Sequence, residues 1–118
     1  MRTYQIIKDT IPAGATSHLT SARLKNEYDR ATGIFFFSEA LIDAYEDVTC
    51  RLTIGDQEIF PKDTDVKLMA YSSSCSLNDA IWDLQDENIP AKDSLLEAYF
   101  TNNTSDDIEI AIYVLLEN

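Results

Sequence analysis

The chain has 118 residues, and 45% of them are hydrophobic, which is enough for a core without a disulfide or a bound metal. Its 21 acidic and 9 basic side chains give a formal net charge of −12, which argues against nucleic acids and anionic membranes as partners. We expect one domain over residues 1–118. The acidity favours solubility, and the alternative is an acidic face that meets a basic partner.

The first residues, MRTYQIIKDTIP, contain no long apolar segment and predict no secretory signal. No apolar run approaches the ~20 residues that span a bilayer. Without a signal, the two cysteines, Cys50 and Cys75, are expected to be free thiols. Overlapping glycosylation sequons begin at Asn102 and Asn103, and in the same context they indicate a polar turn.

Short apolar alternations separated by turn residues predict β-strands along the whole chain. In the second predicted strand, Ala22 and Leu24 share one face and Leu19 lies on the other. The fourth has the cleanest internal alternation, from Val48 to Ile54. The expected strands are residues 4–8, 16–25, 33–38, 48–54, 58–60, 66–71, 95–100 and 108–116.

Two of these strands are expected to be deeply buried. The run from Ile34 to Phe37 is apolar at every position, so both of its faces need cover. The opposite sheet covers one face, and a loop, residues 77–84 or a neighbouring subunit covers the other. The last strand places every second residue from Ile108 to Leu116 on one apolar face, which predicts a core strand.

Glycine and proline mark the turns of the first half. An Ile-Pro-Ala-Gly turn occupies residues 11–14, and the polar residues 26–33 end at a turn glycine, Gly33. Gly-Asp at residues 55–56 predicts a tight hairpin. Pro61 either ends the second arm of that hairpin or places it at a sheet edge.

The second half has a serine loop at residues 72–74 and a second Ile-Pro-Ala turn at residues 89–91. Residues 102–107 form a polar turn, so the last strand is expected to be the return arm of a hairpin with the strand before it.

Two short helices are the only helical candidates. Ser38 is expected to cap a helical turn within residues 39–47, with a loop as the alternative. Ser76 caps a helix over residues 77–84, or else the end of that segment is a strand. The pattern predicts an antiparallel β-sandwich with at most one or two short helices, jelly-roll in type, and an immunoglobulin-like sandwich is the alternative.

No group of residues indicates a catalytic, cofactor or metal site. His18 is the single histidine, and no nucleophile-elbow pattern surrounds a serine, so neither a catalytic triad nor a zinc site is expected. With three glycines, no phosphate-binding loop is available. Solvated acidic loops are expected at four aspartates, with Ca²⁺ binding as the alternative: Asp63, Asp65, Asp106 and Asp107.

The aromatic residues are expected to pack in the core or on a sheet face. A row of exposed rings that stacks on sugars, formed by tyrosines and the single Trp82, is the alternative. The tyrosines are spread over the whole chain, so their spacing does not indicate such a row: Tyr4, Tyr28, Tyr45, Tyr71, Tyr99 and Tyr113.

Several motifs together resemble those of small accessory virion proteins of bacteriophages, the capsid-decoration and head-fibre class. They are Ile-Pro-Ala-Gly at residues 11–14, Thr-Gly-Ile-Phe-Phe at 32–36, Leu-Thr-Ile-Gly-Asp-Gln-Glu-Ile at 52–59, Ile-Pro-Ala at 89–91, Phe-Thr-Asn-Asn at 100–103 and Ile-Tyr-Val-Leu-Leu at 112–116. The resemblance implies a non-enzymatic structural β-sandwich that assembles with itself and docks on a capsid or head. It carries over no site residues.

From this resemblance we expect a virion protein, made in the bacterial host cytoplasm, without a cofactor. Exposed sheet edges favour self-association, as a trimer or pentamer. Because the net charge of −12 opposes close packing of copies, the contact is expected to be apolar at its centre with carboxylates at its rim. The alternatives are a carbohydrate-binding module and a small hydrolase that depends on His18.

Overall fold

The computed structural model describes residues 2–37, 48–55, 57–66, 82–84 and 89–118, without the side chains of Arg2, Trp82 and Asp83. None of these residues is α-helical. The strands are β1 (Arg2–Ile11), β2 (His18–Arg23), β3 (Arg30–Phe37), β4 (Val48–Ile54), β5 (Gln57–Asp65), β6 (Trp82–Asp83), β7 (Ile89–Pro90), β8 (Leu95–Asn102) and β9 (Ile108–Glu117).

The strands form two antiparallel sheets packed face to face. Sheet A has the order β1-β9-β3-β6, and β7 also pairs with β3. Sheet B has the order β2-β8-β4-β5. The predicted antiparallel β-sandwich is therefore confirmed. β1 is an edge strand of sheet A, and β2 is an edge strand of sheet B. Both lie on the same side of the sandwich, and this side is called the β1–β2 edge.

The core lies between the sheets and is built from every second residue of the long strands. In β4 the alternation from Val48 to Ile54 puts four side chains inside, as predicted. Phe36 of sheet A contacts Phe60 and Phe100 of sheet B, with ring centroids 6.1 and 6.0 Å apart. The largest fully buried side chains are Phe36, Phe100, Ile11, Leu24, Ile34, Leu52, Ile54, Leu84, Ile89 and Leu96.

The last strand, β9, is a central core strand, as predicted, but its expected hairpin with β8 is wrong. β9 pairs along its length with β1 on one side and with β3 on the other. β8 lies in sheet B between β2 and β4. Residues 103–107 therefore cross from one sheet to the other. Crossing buries the inner faces of both strands against each other, whereas a hairpin would keep both in one sheet.

Gly33 lies within β3, so the turn predicted at this glycine is wrong. The strand begins at Arg30 and carries a β-bulge, since Ala31 pairs with Leu116 while Gly33 pairs with Leu115. The extra residue shifts the alternation by one position. Ala31 and Ile34 consequently both face the core, although they are three residues apart.

The β4–β5 hairpin follows the prediction at residues 55–56. Ile54 pairs with Gln57 across the turn, and Gly55 has a φ of 60°, which suits glycine. β5 continues through Pro61 to Asp65 as the edge strand of sheet B, which is the second of the two predicted roles for this proline. Its pairing with β4 contains two register shifts.

Several predicted elements lie partly or wholly outside the described residues. These are the helical turn at 39–47, most of the strand at 66–71, the serine loop at 72–74 and the first five residues of the helix at 77–84. At the end of this segment the strand alternative is confirmed, because Trp82 and Asp83 pair with Ile34 and Gly33 of β3. A neighbouring strand that offers free backbone groups has outweighed local helix propensity there.

Candidate interaction surface

The outer face of sheet A carries an apolar cluster over three adjacent strands. Tyr4 pairs with Leu115, and Tyr113 lies between Ile6 and Phe35. Because side chains alternate along a strand, these five point away from the core that Phe36 enters. The cluster is called the outer apolar face, and it is formed by Tyr4, Ile6, Phe35, Phe37, Tyr113 and Leu115.

Aromatic contacts hold this cluster together. The rings of Phe35 and Tyr113 stack with centroids 4.7 Å apart and an interplanar angle of 13°. Tyr4 meets each of them edge-on, at 6.2 and 6.3 Å, and Phe37 meets Tyr113 at 6.5 Å. Such geometries are favourable by about 0.5–1.5 kcal/mol for each pair beyond the area that they bury. The cluster therefore confirms that these aromatic rings pack on a sheet face.

Exposure increases across the outer apolar face towards β1. Phe35 and Leu115 are 5% and 7% exposed, whereas Tyr4 and Ile6 on β1 are 39% and 48% exposed. The run that begins at Ile34 thus supplies both faces of its sheet, as predicted. What the sequence alone did not show is that β1, at the margin, leaves its outward apolar side chains, Tyr4 and Ile6, partly exposed to solvent.

An open depression of about 450 Å³ lies at one end of the outer apolar face. Aromatic and apolar side chains line it together with one basic and two acidic residues. The residues around it are Lys8, Asp9, Thr10, Phe37, Glu109, Ile110, Ala111 and Tyr113. An aromatic ring beside charged and hydroxyl groups is a combination that can hold a polar ring such as a sugar.

The outer face of sheet B is more polar, and two of its side-chain pairs are joined by hydrogen bonds. Arg51 donates through Nε to Glu58 Oε2 at 3.0 Å, and the Tyr99 hydroxyl donates to Glu97 Oε2 at 3.2 Å. Leu19 of β2 is the exception, with 45% exposure. The two outer faces of the sandwich thus differ in chemistry, and sheet A is the apolar one.

His18 belongs to a hydrogen-bonded cluster that joins the two sheets at the β1–β2 edge. Its Nε2 lies 2.8 Å from Asp9 Oδ2, and the Thr20 hydroxyl donates to the same oxygen at 2.6 Å. The Thr10 amide donates to the other oxygen, Oδ1, at 2.8 Å. A nucleophilic triad needs the histidine between hydroxyl and carboxylate. Here the carboxylate is in the middle, so the imidazole does not activate the hydroxyl.

The hydrogen bonds to Asp9 lower the pKa of its carboxyl group below the ordinary 3.8. Partial burial acts in the opposite direction and raises this pKa, but the hydrogen bonds from Thr20, His18 and Thr10 and the charge of His18 together outweigh it. A carboxyl group with a lower pKa in the folded state stabilises the fold above its unfolded-state pKa. That contribution is lost as the pH falls through the folded-state pKa.

We expect Asp9→Asn to lower the free energy of unfolding by about 1 kcal/mol at pH 7, because an amide is a weaker acceptor for Thr20 and His18. The difference from the wild type should shrink as the pH falls below about 4, where the wild-type carboxyl group also becomes neutral. Urea unfolding at several pH values measures both. Asp29→Asn, in an exposed pair with Lys92, is the control and should change stability by less than about 0.5 kcal/mol. A difference that persists unchanged at pH 3 would contradict this role.

Gln5 closes the same edge beside Asp9. Its amide nitrogen donates to the Arg23 carbonyl at 2.9 Å, and its amide oxygen accepts from the Lys25 backbone N–H at 2.9 Å. One side chain of β1 therefore satisfies two backbone groups at the end of β2.

The cysteines and acidic residues considered in the sequence analysis have structural roles where the structure describes them. Cys50 is a free, buried thiol, and burial raises its pKa to about 12, so it is unreactive at neutral pH. Cys75 lies outside the described residues. Asp107 Oδ1 accepts from the Ala13 backbone N–H at 2.9 Å, so it secures a turn. No group of three possible metal-ligating side chains occurs among the residues that the structure describes.

Asn102 is a structural hub that the sequence did not single out beyond its polar turn. Its side chain is fully buried and joins the crossing loop to the turn after β1. The amide nitrogen donates to the carbonyl oxygens of Ile11, Pro12 and Asp106 at 3.0–3.2 Å. The amide oxygen accepts from Thr104 through both its backbone N–H and its hydroxyl.

Comparison of the chain with protein-family models, with curated protein sequences and with solved structures found no significant match. Within the part of the chain that the structure describes, no helix is long and apolar enough to span a membrane.

Proposed function

We propose that this protein is a non-enzymatic structural component of a bacteriophage virion, which assembles with copies of itself and docks on the capsid or head. The protein is made in the host cytoplasm and works in the particle. The outer apolar face of sheet A carries this proposal. A sheet face with aromatic residues on three strands, open at Tyr4 and Ile6, is suited to burial against another protein surface.

The order of the strands supports a jelly-roll type of sandwich. Two Greek keys wound over two sheets define that architecture, which recurs in viral capsid proteins and lectins. Successive strands here change sheet except from β4 to β5 and from β6 to β7, with β1, β3, β6, β7 and β9 in sheet A and β2, β4, β5 and β8 in sheet B. In an immunoglobulin-like sandwich the first two strands share one sheet. Here β1 and β2 lie in different sheets.

Self-association is the first testable consequence. We expect purified protein to form a trimer or pentamer, three or five times its chain mass of 13.3 kDa, because closed rings satisfy identical contacts. Size-exclusion chromatography with light scattering, from low to high protein concentration and in low and high salt, measures the mass. A strict monomer under all of these conditions would contradict self-assembly in solution.

The proposal that this protein is part of a virion can be tested separately. Particles purified from a lysate of the source host should contain this chain at a fixed copy number relative to the capsid protein, measured by quantitative mass spectrometry. Neighbouring genes for portal, capsid and tail proteins would support the same assignment. Finding the chain only in the particle-free fraction would contradict it.

A carbohydrate-binding module is the second candidate, and the depression beside the outer apolar face favours it. Phe37 and Tyr113 line it together with Lys8, Thr10 and Glu109, which combines stacking surface with hydrogen-bonding groups. Glycan-array binding that is lost in Glu109→Ala, with the fold retained, would favour this candidate. Trp82→Ala is a second variant, because this tryptophan is the other aromatic residue proposed to stack on sugars. Loss of glycan binding in Trp82→Ala would also favour this candidate.

A further inference from the structure

The exposed large hydrophobic side chains of the described residues all lie on two strands. They are Tyr4 and Ile6 of β1 and Leu19 of β2, with exposures from 39% to 48%. Both strands end their sheets at the β1–β2 edge, and the hydrogen bonds of Gln5 and Asp9 tie them together there. A single rim of the sandwich therefore concentrates the apolar surface that the fold leaves in water.

The segment that contains both strands of this edge is basic in an otherwise acidic protein. Residues 1–25 hold four basic side chains, Arg2, Lys8, Arg23 and Lys25, and one acidic side chain, Asp9, a net charge of +3. The other 93 residues hold five basic and twenty acidic side chains, a net charge of −15. Lys8 and Lys25 are exposed, and neither forms an ion pair in the described part of the chain.

The two ends of the sandwich also differ in their backbones. β1 pairs with β9 over ten residues without a register shift, so its outer edge is long and regular. β5, at the opposite end of sheet B, contains Pro61, two register shifts and a positive φ of 67° at Asp63. Proline and bulges are features that keep an edge strand from pairing with another chain. Among the described residues, β1 has neither a proline nor a register shift, and Lys8 and the inward-pointing Asp9 are its edge-protecting features.

We propose that copies of this chain associate head to tail, with the β1–β2 edge of one copy docked on the acidic surface of the next. This inference rests on the proposed self-assembly and names the surface that makes the contact. Tyr4 and Ile6 supply the apolar centre on the outer face of sheet A, and Lys8 on the same face of β1 supplies charge attraction. In this contact the carboxylates expected at the rim come from the acidic surface of the neighbouring copy.

Charge is the reason for a head-to-tail contact rather than a symmetric one. A two-fold contact would place two edges of net charge +3 against each other, and like charges facing across an interface are unfavourable. A head-to-tail contact instead places this basic segment against residues 26–118 of the next copy, whose charges sum to −15. Repeated head-to-tail contacts close into rings when the rotation allows it, which agrees with a trimer or pentamer.

A double variant, Ile6→Thr with Lys8→Glu, tests the edge. Threonine keeps strand propensity at an exposed position, so the variant should fold, and circular dichroism with urea unfolding checks this. We expect its self-association to weaken at least roughly tenfold, because apolar centre and charge attraction are both reduced. Lys62→Glu on β5 is the matched control: it makes the same charge change at the opposite edge and should assemble as the wild type does.

Mixing distinguishes the two geometries. Native mass spectrometry of the double variant with ¹⁵N-labelled wild type should show complexes that contain one variant copy, since the variant still offers an acidic surface to a wild-type edge. Only one-to-one dimers of variant and wild type would show a symmetric contact and overturn the head-to-tail proposal. A variant that assembles like the wild type would overturn the role of the edge while self-assembly stands. A monomeric wild type would overturn self-assembly and this contact together.

Discussion

Phe36→Ala is expected to lower the free energy of unfolding by about 3–5 kcal/mol, because it removes a fully buried ring from the centre of the core. The ring contacts Phe60 and Phe100 of the opposite sheet, so the cavity would lie between the two sheets. Domains of this size have a total stability of about 5–15 kcal/mol, so the loss is a large share. Urea unfolding measures it, and thermal unfolding should show a midpoint roughly 10–20 °C lower.

Two further variants calibrate this result. Phe36→Leu keeps most of the apolar volume and should be clearly milder than the alanine variant, at about 1–2 kcal/mol. Ile6→Ala removes an apolar side chain that is 48% exposed and should change stability by less than about 1 kcal/mol in the monomer. If Phe36→Ala lowered the free energy of unfolding no more than Ile6→Ala does, the two sheets would not pack closely around the Phe36 ring.

Asn102→Asp is expected to be nearly as damaging, although it changes only an amide to a carboxyl group. The amide nitrogen donates to three carbonyl oxygens, and a carboxylate oxygen in its place would repel them inside a fully buried site. Leaving buried groups unpaired costs about 1–3 kcal/mol for each, so we expect a loss of about 3–5 kcal/mol at pH 7. Urea unfolding of the variant and the wild type gives the difference.

The pH dependence of this variant identifies the cause. Burial among carbonyl oxygens favours the neutral acid, which can donate one hydrogen bond, so the deficit should become smaller as the pH falls from 7 towards 4.5. Asn103→Asp is the control, since Asn103 is the exposed neighbour and should change stability by at most about 0.5 kcal/mol. Equal effects of the two variants would mean that Asn102 does not join the loop to the turn.

Local alternation determined which side chains point inward, and the structure agrees. Val48 to Ile54 on β4, the even positions of β9 and the outward Leu19 of β2 follow directly from the two-residue period of a strand. The Gly-Asp turn at residues 55–56 could be predicted for the same reason, because a two-residue hairpin depends on a few neighbouring residues. The turn at Gly33 could not, since the bulge there depends on pairing with β9.

The interaction surface was predictable only in part. The fully apolar run from Ile34 to Phe37 shows by itself that both faces of its sheet need cover. It does not show that Tyr113 stacks on Phe35, because those residues are 78 positions apart and meet only through strand pairing. His18 and Asp9 lie nine residues apart in sequence, and the order of donors around the carboxylate was visible only once β1 and β2 met.

The sequence by itself determined the class of the fold, the inward pattern of its strands and the excess of acidic charge. The tertiary structure alone decided that β9 pairs with β1 and β3 rather than with β8, and that Asn102 bonds to carbonyls of Ile11 and Pro12, 91 and 90 residues away. It also decided that β1 and β2 form one apolar and basic edge. The physical reason is that periodicity is a property of neighbouring residues, whereas strand partners are chosen by the burial of whole faces, which involves distant parts of the chain.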